Sequence, residues 1–238
     1  MIPPAAILAG GLATRLYPAT REMPKSLIEV AGKPFIDYQL DLLKRNGIAE
    51  VVICAGYLGE QIREHLGDGG RFGLAVRYSF DGPQLLGTGG ALRKALPLLG
   101  KYFWVIYGDS YLETDYGEIM AYFNSHDKPG LMTAFKNQNR WDRSNVCFEN
   151  GRILRYKKGC LNTAMQHIDY GLSILRKDAF AGFAPDLLKW DVSGLFQQLL
   201  ERDELLGFEV KERFYEIGSP EGLAETGAVN IVAGMILD

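Results

Sequence analysis

An α/β fold, Rossmann-like and three-layered around a mostly parallel central sheet, is predicted by three observations. Strand-like apolar runs alternate with amphipathic helical stretches through the first half of the chain. Several of those runs are apolar throughout, as strands covered on both faces tend to be. The length of 238 residues, 47% hydrophobic and 23% charged, is enough to close a core around such a sheet.

The elements follow in order. "AAILA" (Ala5–Ala9) reads as a buried strand and "FIDYQLDLLKRNG" (Phe35–Gly47) as a helix. Phe35, Ile36, Leu40 and Leu43 share one face of that helix, Lys44 and Arg45 suit its C-terminus, and Gly47 can take the left-handed cap. "EVVICA" (Glu50–Ala55) is the next strand, with a helix from about Leu58 to Leu66. "LAVRYSF" (Leu74–Phe80) alternates and reads as half-buried, a helix is expected near Gly90–Leu99, and "YFWVIYGD" (Tyr102–Asp109) is an apolar run ending at an acid. The second half is less regular. "GLMTAF", "NVCFENGRILRY" and "MQHIDYGLSIL" are strand-like, with a hairpin signal at Asn150-Gly151. A helical segment near Gly194–Arg202 precedes "GFEVKERFYEIGSP", a strand ending at an acid, and Ser219-Pro220 opens the last helix with a cap and an N1 proline. The chain carries no linker, repeat or low-complexity tract, so one domain is expected, its later segments forming a lobe over the sheet.

Composition narrows the function classes. A net charge of −3 argues against a general nucleic-acid binder. The N-terminus lacks the pattern of a signal peptide and no apolar run is long enough to span a bilayer, so a soluble cytoplasmic protein without membrane partners is the expectation. Cys54, Cys147 and Cys160 form no CxxC pair, and Cys54 sits in an apolar run where a small buried hydrophobe suffices. His65, His126 and His167 lie in unrelated segments and do not make a metal set.

The informative stretch is the loop after the first strand, "ILAGGLATRLYPATREMPKSL" (Ile7–Leu27). In an open parallel sheet, ligands bind at the C-terminal ends of strands. Here Leu8 and Ala9 lead into Gly10 and Gly11, which lack side chains and let backbone N–H groups approach phosphate oxygens. Thr14 adds a hydroxyl, Arg15 a bidentate cation and Lys25 a movable one, with Pro18 and Pro24 restricting the chain between them. Neither GxxxxGK[ST] nor GxGxxG fits. A turn with solvated cations would account for the glycine pair alone, but the whole string favours phosphate binding.

That string, Gly10-Gly11-Leu12-Ala13-Thr14-Arg15-Leu16-Tyr17-Pro18-Ala19-Thr20 followed by Pro24-Lys25-Ser26-Leu27, resembles the sugar-1-phosphate nucleotidyltransferase family, whose signature is close to GGxGTRLxPxTxxxPKxL. Ala13 replaces the usual glycine and would be strained if its φ were positive. "VAGKPFIDYQL" extends the likeness, which continues toward the C-terminus and is greatest to the short bacterial branch that includes heptose-1-phosphate guanylyltransferases and muramic-acid-1-phosphate uridylyltransferases. The resemblance implies a nucleotidyltransferase domain over residues 1–238, with a nucleotide-binding part over about 1–110 and a small acceptor-binding lobe over about 111–238. It implies a nucleoside triphosphate and a sugar-1-phosphate as partners, Mg²⁺ as cofactor and pyrophosphate as product, and leaves a homo-oligomer open. The branch leans toward GTP and heptose-1-phosphate or a similar sugar.

The acids at strand ends suit the metal, since Mg²⁺ takes one or two carboxylates plus phosphate oxygens and waters. Asp109 in "YGDSY" matches the family's metal aspartate, and Glu216 in "FYEIGSPE" stands where relatives carry aspartate in D-x-G-x-P-E. Asp115 reads instead as a helix N-cap. The second glycine cluster, "LLGTGGALRKAL", is by itself a turn with Thr88 near a cap; the resemblance makes Gly87, Thr88 and Gly89 the lining of base and ribose, with Gln84 reading a base edge and Gly56 bordering it. In the acceptor pocket the family's F-x-E-K-P and N-x-G become Tyr156-Lys157-Lys158-Gly159 and Asp169-Tyr170-Gly171. Lys158, Asp169 and Gly171, with Lys25, are the acceptor-binding candidates; Lys157 and Lys158 read either as ligands of the acceptor's phosphate or as a solvated basic pair. Arg15, Lys25 and Asp109 are the catalytic candidates. A nucleotide-sugar glycosyltransferase would want D-x-D, which Asp109-Ser110-Tyr111 lacks, and a non-catalytic nucleotide-sugar sensor would have less need of Arg15, Lys25 and Asp109 together.

Overall fold

β1 (Ala5–Ala9) lies inside a seven-stranded sheet, flanked by β4 (Glu50–Ala55) and β6 (Tyr102–Tyr107), both parallel to it. The computed structural model describes residues 2–159 and 165–228. Between β1 and β4 come a two-stranded ribbon, β2 (Glu29–Val30) with β3 (Lys33–Pro34), and helix α1 (Phe35–Arg45). α1 ends as its sequence dictates, with Lys44 and Arg45 in its last turn and Gly47 at φ 76°. α2 (Gly59–Leu66) and β5 (Ala75–Phe80) follow β4, and α3 (Gly87–Ala95) leads into β6. α3 starts and stops earlier than the expected Gly90–Leu99, because Pro97 cannot continue an α-helix and residues Leu96–Leu98 tighten into a 3₁₀ turn.

The second half does more than cover the sheet; it extends it. After the short β7 (Ser110–Tyr111) and α4 (Tyr116–Asn124), β8 (Gly130–Phe135), β11 (Ile168–Arg176) and β12 (Leu205–Val210) complete the order β12-β8-β11-β6-β1-β4-β5. β11 runs antiparallel to both neighbours while β8 and β12 are parallel. β9 (Val146–Glu149) and β10 (Arg152–Tyr156) form a separate hairpin, and both residues of the Asn150-Gly151 turn take positive φ, as a type I′ connection requires. α5 (Val192–Glu201) packs beside α3; β13 (Tyr215–Glu216) pairs with β7, and α6 (Pro220–Ala228) follows. The expected single strand in "GFEVKERFYEIGSP" is therefore two, broken around Lys211–Phe214.

The period of two along β1 and β4 explains the three layers. Ile7, Val51 and Ile53 face one core with Ile36, Leu40, Ile62 and Trp104, whereas Ala6, Leu8, Val52 and Cys54 face another with Leu92, Phe103, Leu195 and Phe196. Cys54 is a buried free thiol, pushed up to about 12 by burial and by the charge of Asp81; Cys147 is free and Cys160 lies outside the described residues. Among the described residues no helix is long and apolar enough to cross a membrane.

Candidate active site

The parallel strands β1, β4, β5 and β6 all deliver their C-terminal ends to one edge of the sheet. A cavity of about 500 Å³ opens there, lined by the β1 loop from Leu8 to Arg15, by Lys25 and Ser26, and by Gly87, Thr88 and Asp109. The expected phosphate-loop, Lys25, Gly87, Thr88 and Asp109 residues thus meet at one place, while Gly56, Lys158, Asp169, Gly171 and Glu216 are not among its lining residues and two expected base-lining residues lie elsewhere. Gln84 is exposed and lines a neighbouring groove with Pro83 and Leu187, because the Asp81–Leu86 turn carries it outward. Gly89 is buried beneath Trp190: a Cβ there would stand 2.0 Å from the indole ring, so its glycine is demanded by packing rather than by a ligand.

The loop itself is held by short-range bonds. Leu16 N–H donates to the Ala13 carbonyl at 3.0 Å, and so does the buried Thr20 hydroxyl at 2.9 Å. Ala13 sits at φ 50°, ψ 43°, the left-handed region, so the alanine is strained as anticipated. The loop closes against the end of β4, where Tyr57 N–H donates to the Gly10 carbonyl at 3.3 Å.

Opposite stands the turn after β6. Asp109 is ion-paired with Lys25 through Oδ2, and Ile217 N–H donates to the Asp109 carbonyl at 2.9 Å. Through that bond and the β13–β7 pairing, which sets Glu216 across from Ser110, residues from near the end of the chain reach the end of β6. Arg15, Asp109 and Glu216 converge on Gly218. A Cβ on Gly218 would lie 2.5 Å from Glu216 Oε2, 2.9 Å from Asp109 Oδ2 and 3.1 Å from Arg15 Nη2. The missing side chain keeps open the space between two carboxylates and a guanidinium. Glu216 curls back on its own loop: Oε2 accepts from Gly218 N–H and Oε1 from the Ser219 hydroxyl at 2.6 Å, while Ser219 caps α6 by accepting from Gly222 N–H at 3.0 Å.

The acceptor-side candidates form an adjoining cluster joined to the cavity through Tyr107, which lines it. Lys158 Nζ donates to Tyr107 Oη at 3.3 Å and lies 3.5 Å from Asp191 Oδ1. Asp169 precedes an irregularity in the β11–β8 register, where Gly171 takes φ 93°. Its Oδ1 accepts from Gly171 N–H and its Oδ2 from the Tyr156 hydroxyl, both at 3.1 Å. Burial raises the Asp169 carboxyl above its ordinary range, opposed by Lys158, Gly171 and Tyr156. Burial, with Asp169, Asp191 and Asp109 nearby, also holds the Tyr107 phenol well above its usual value, so it stays neutral. For Asp191, burial is outweighed by hydrogen bonds from Ser193 and by the Lys158 charge, and its carboxyl lies below the ordinary range. Thr88 does not cap its own helix: its hydroxyl donates to Asp191 Oδ2 at 3.0 Å and accepts Val192 N–H at 2.9 Å, tying α3 to the start of α5.

Several residues at the site escaped the sequence reading. Gln39, buried on α1, donates from Nε2 to the carbonyls of Tyr107 (2.9 Å) and Ser110 (2.8 Å), pinning the Asp109 turn. Lys189 lines the cavity because the Trp190 backbone bonds to Leu86 and Gly89 at 3.0 Å, drawing its segment over α3. Ser26 Oγ is buried at the cavity without a protein partner. Asp81, after β5, is buried and also lines it; burial raises its carboxyl, opposed by Leu86 N–H and Lys94. Only the proximity of Ser26 to Lys25 offered a signal for any of these. The histidines stay apart, His65 on Asp37 (2.7 Å) and His167 on Glu209 (3.0 Å), and Asp115 caps α4 as expected.

Comparison with known proteins agrees with this architecture. The chain is 43% identical over 113 residues to the N-acetylmuramate α-1-phosphate uridylyltransferase of Neisseria meningitidis serogroup B, an alignment spanning 47% of this chain and 49% of that one. It is 27% identical over 219 residues to the D-glycero-α-D-manno-heptose 1-phosphate guanylyltransferase of Campylobacter jejuni, spanning 91% of this chain and 95% of that one. Its fold matches, at TM-score 0.86 and 21% identity, the crystal structure of a Bacillus anthracis protein provisionally described as a glucose-1-phosphate thymidylyltransferase, covering 95% of this chain and 94% of that one. Residues 4–145 match the nucleotidyl transferase family model, and this chain is a member of that family.

Proposed function

We propose that the protein transfers a nucleoside monophosphate from a nucleoside triphosphate to a sugar-1-phosphate, releasing pyrophosphate and forming an NDP-sugar. The observation that carries this reading is the convergence of Arg15, Asp109 and Glu216 on Gly218, with Lys25 paired to Asp109, at the mouth of a cavity floored by the β1 loop. The β1-loop backbone and the Thr14 and Ser26 hydroxyls would cradle the triphosphate, Arg15 would clamp it, and Lys25 would follow the charge on the reacting phosphate.

A phosphate oxygen of the acceptor attacks the α-phosphorus in line; a P–O bond forms there as the bond to the β-phosphate oxygen breaks, and pyrophosphate leaves with that electron pair. The nucleophile is already an anion, so no general base is needed, and catalysis is positioning plus charge stabilisation. The two carboxylates beside Gly218 are hard oxygen donors of the kind Mg²⁺ takes; Asp109 Oδ2 is paired with Lys25, and the Glu216 oxygens accept from Gly218 N–H and the Ser219 hydroxyl, but each carboxylate keeps further lone pairs for an ion. Asp109 and Glu216 would hold it, and when bound it neutralises charge on the triphosphate and the departing pyrophosphate. Lys158, with Tyr107, would face the acceptor, and Asp169, whose oxygens are occupied within the chain, would orient Tyr156 behind it. We lean to GTP and heptose-1-phosphate or a similar sugar, supported by the near full-length match to a heptose 1-phosphate guanylyltransferase, and to the cytoplasm as the site of action.

The test is pyrophosphate release across GTP, UTP, CTP, ATP and dTTP, each combined with a panel of sugar-1-phosphates and Mg²⁺. Release that requires both substrates, with an NDP-sugar detected by mass spectrometry, is expected. Nucleotide binding without turnover across the whole panel would overturn the reading in favour of a sensor.

A further inference from the structure

The β1 loop is clasped from one side by the turn that follows β4. There Gly56 lies directly against Gly10. A Cβ on Gly56 would stand 2.5 Å from the Gly10 carbonyl oxygen and 2.9 Å from its Cα, and a Cβ on Gly10 would stand 3.1 Å from the Gly56 nitrogen. The missing side chain of Gly56 is accounted for by this backbone-to-backbone contact. Three hydrogen bonds then run from the turn to the loop. Tyr57 N–H donates to the Gly10 carbonyl at 3.3 Å, the Tyr57 hydroxyl to the Arg21 carbonyl at 2.6 Å, and Gln61 Nε2 to the Glu22 carbonyl at 2.9 Å. Leu58, just before α2, takes φ 55° and ψ 22° with no side-chain cap bond. A bulky residue in the left-handed region is strained, and such strain persists only where its surroundings hold it.

The segment held in this way links the two cations of the site. Arg15 lies within residues 12–24 and Lys25 follows them directly. Most bonds of the segment are internal: Leu16 and Thr20 donate to the Ala13 carbonyl, Tyr17 N–H to Thr14 and Arg21 N–H to Pro18. Leu16, Thr20 and Pro24 are buried, whereas 17–19 and 21–23 are exposed, so the outer limb of the loop has no core to hold it. Among the described residues, Tyr57 and Gln61 supply the only side-chain hydrogen bonds from the rest of the protein to residues 12–24. Neither lines the cavity.

Resting on the nucleotidyl-transfer reading above, we propose that Tyr57 and Gln61 are positioning residues of the phosphate loop. They fix the outer limb at Arg21 and Glu22, so that Arg15 before it and Lys25 after it keep the spacing a triphosphate requires. Both act through loop carbonyls and touch no substrate. An outer limb that swings free competes with binding, and apparent affinity falls in proportion to the fraction of molecules that stay closed.

The test uses Tyr57→Phe and Gln61→Met, which remove a donor and keep most of the side chain's bulk. Hydrogen exchange of the unligated double variant, read by mass spectrometry, should quicken at least roughly 10-fold in residues 16–23 while α1 and β6 keep the parent's rates. Calorimetric titration with GTP and with UTP in Mg²⁺ should show affinity down about 3-fold in each single variant and at least roughly 10-fold in the double. In steady-state kinetics the KM for the nucleotide should rise by the same factor while kcat falls less than about 3-fold, because bound triphosphate closes the limb again. General damage to the fold would lower kcat instead. Unaltered exchange in 16–23, faster exchange with affinity intact, or a loss confined to kcat would overturn the assignment. If the double variant does not fold, the single variants decide by the same readings. Nucleotide binding that the substitutions leave untouched sinks the role of Tyr57 and Gln61 only, whereas absence of binding by the unaltered protein sinks the proposed function and this role with it.

Discussion

Lys25 and Asp109, 84 residues apart in sequence, form an ion pair at the mouth of the cavity. Each side chain is 22% exposed, so the pair contributes at most about 1 kcal/mol to stability. On the proposed function its value lies in the site: each would hold the other where a phosphate and its counter-charge are to sit. Asp109→Ala is therefore expected to unfold within a few degrees of the parent while losing at least roughly 100-fold in turnover at saturating Mg²⁺. Thermal unfolding and pyrophosphate release, measured on the same preparation, check both halves.

Gly11 offers a different separation. Nothing in the protein stands within 4 Å of where its Cβ would be, and its φ is not positive, so the fold does not require glycine. Gly11→Ala should be neutral or stabilising by up to about 1 kcal/mol, through the stiffer unfolded chain. Its methyl group would enter the space claimed for the triphosphate, and nucleotide affinity should fall at least 10-fold. A variant that loses stability but keeps affinity would contradict this.

Ala13 carries strain at φ 50° that its hydrogen bonds to Leu16 and Thr20 oblige it to keep. Relief of the left-handed penalty, about 1–2 kcal/mol, exceeds the entropy cost of glycine, about 0.4–1 kcal/mol. Ala13→Gly should raise the unfolding midpoint, read by denaturant titration, and leave pyrophosphate release intact.

Gln39→Leu removes the donor shared by the Tyr107 and Ser110 carbonyls. A loss of about 1–3 kcal/mol is expected. Since the turn that bears Asp109 is freed while the β1 loop is untouched, kcat should fall more than nucleotide affinity. Steady-state kinetics beside calorimetry would reveal the split.

The legible parts of this protein are local. The alternating runs disclosed β1, β4, β5 and β6 because each strand's periodicity is written within a few residues, and the Gly10–Lys25 string disclosed the cation-rich loop for the same reason. Asp109 could be singled out because an acid after an apolar run stands at a strand end. What could not be read depends on pairing across long separations. Gln39 acts through carbonyls 68 and 71 residues away, and Lys189 arrives because Trp190 bonds to α3; Glu216 is named by its motif, but the β13–β7 pairing and the Ile217–Asp109 bond that bring it beside Asp109 are not written there. Gln84 was a reasonable base reader by chemistry, but the turn that buries Asp81 faces it outward. The glycines of "GTGG" looked like a ligand loop, yet Gly89 answers to Trp190.

Asp169 supplies a dependence on pH. Burial raises its carboxyl above the ordinary 3.8, so the folded state favours the protonated form. The group contributes most to stability below about 3.8 and its contribution declines as pH rises through the folded value. Asp169→Asn has no such loss, so the stability of the parent relative to the variant should decrease from pH 4 upward. Denaturant unfolding at stepped pH checks the slope, and a rising difference would contradict the assignment.

The central claim, attack of a sugar phosphate on an α-phosphorus beside Arg15, Lys25 and Asp109, is tested most directly by isotope transfer. The sugar-1-phosphate is labelled with ¹⁸O in all its phosphate oxygens and incubated with unlabelled nucleoside triphosphate. Mass spectrometry should find the whole label retained in the NDP-sugar and none in pyrophosphate, with Asp109→Ala forming labelled product at least roughly 100-fold more slowly. Appearance of ¹⁸O in inorganic phosphate, or formation of a sugar product without pyrophosphate, would contradict the account.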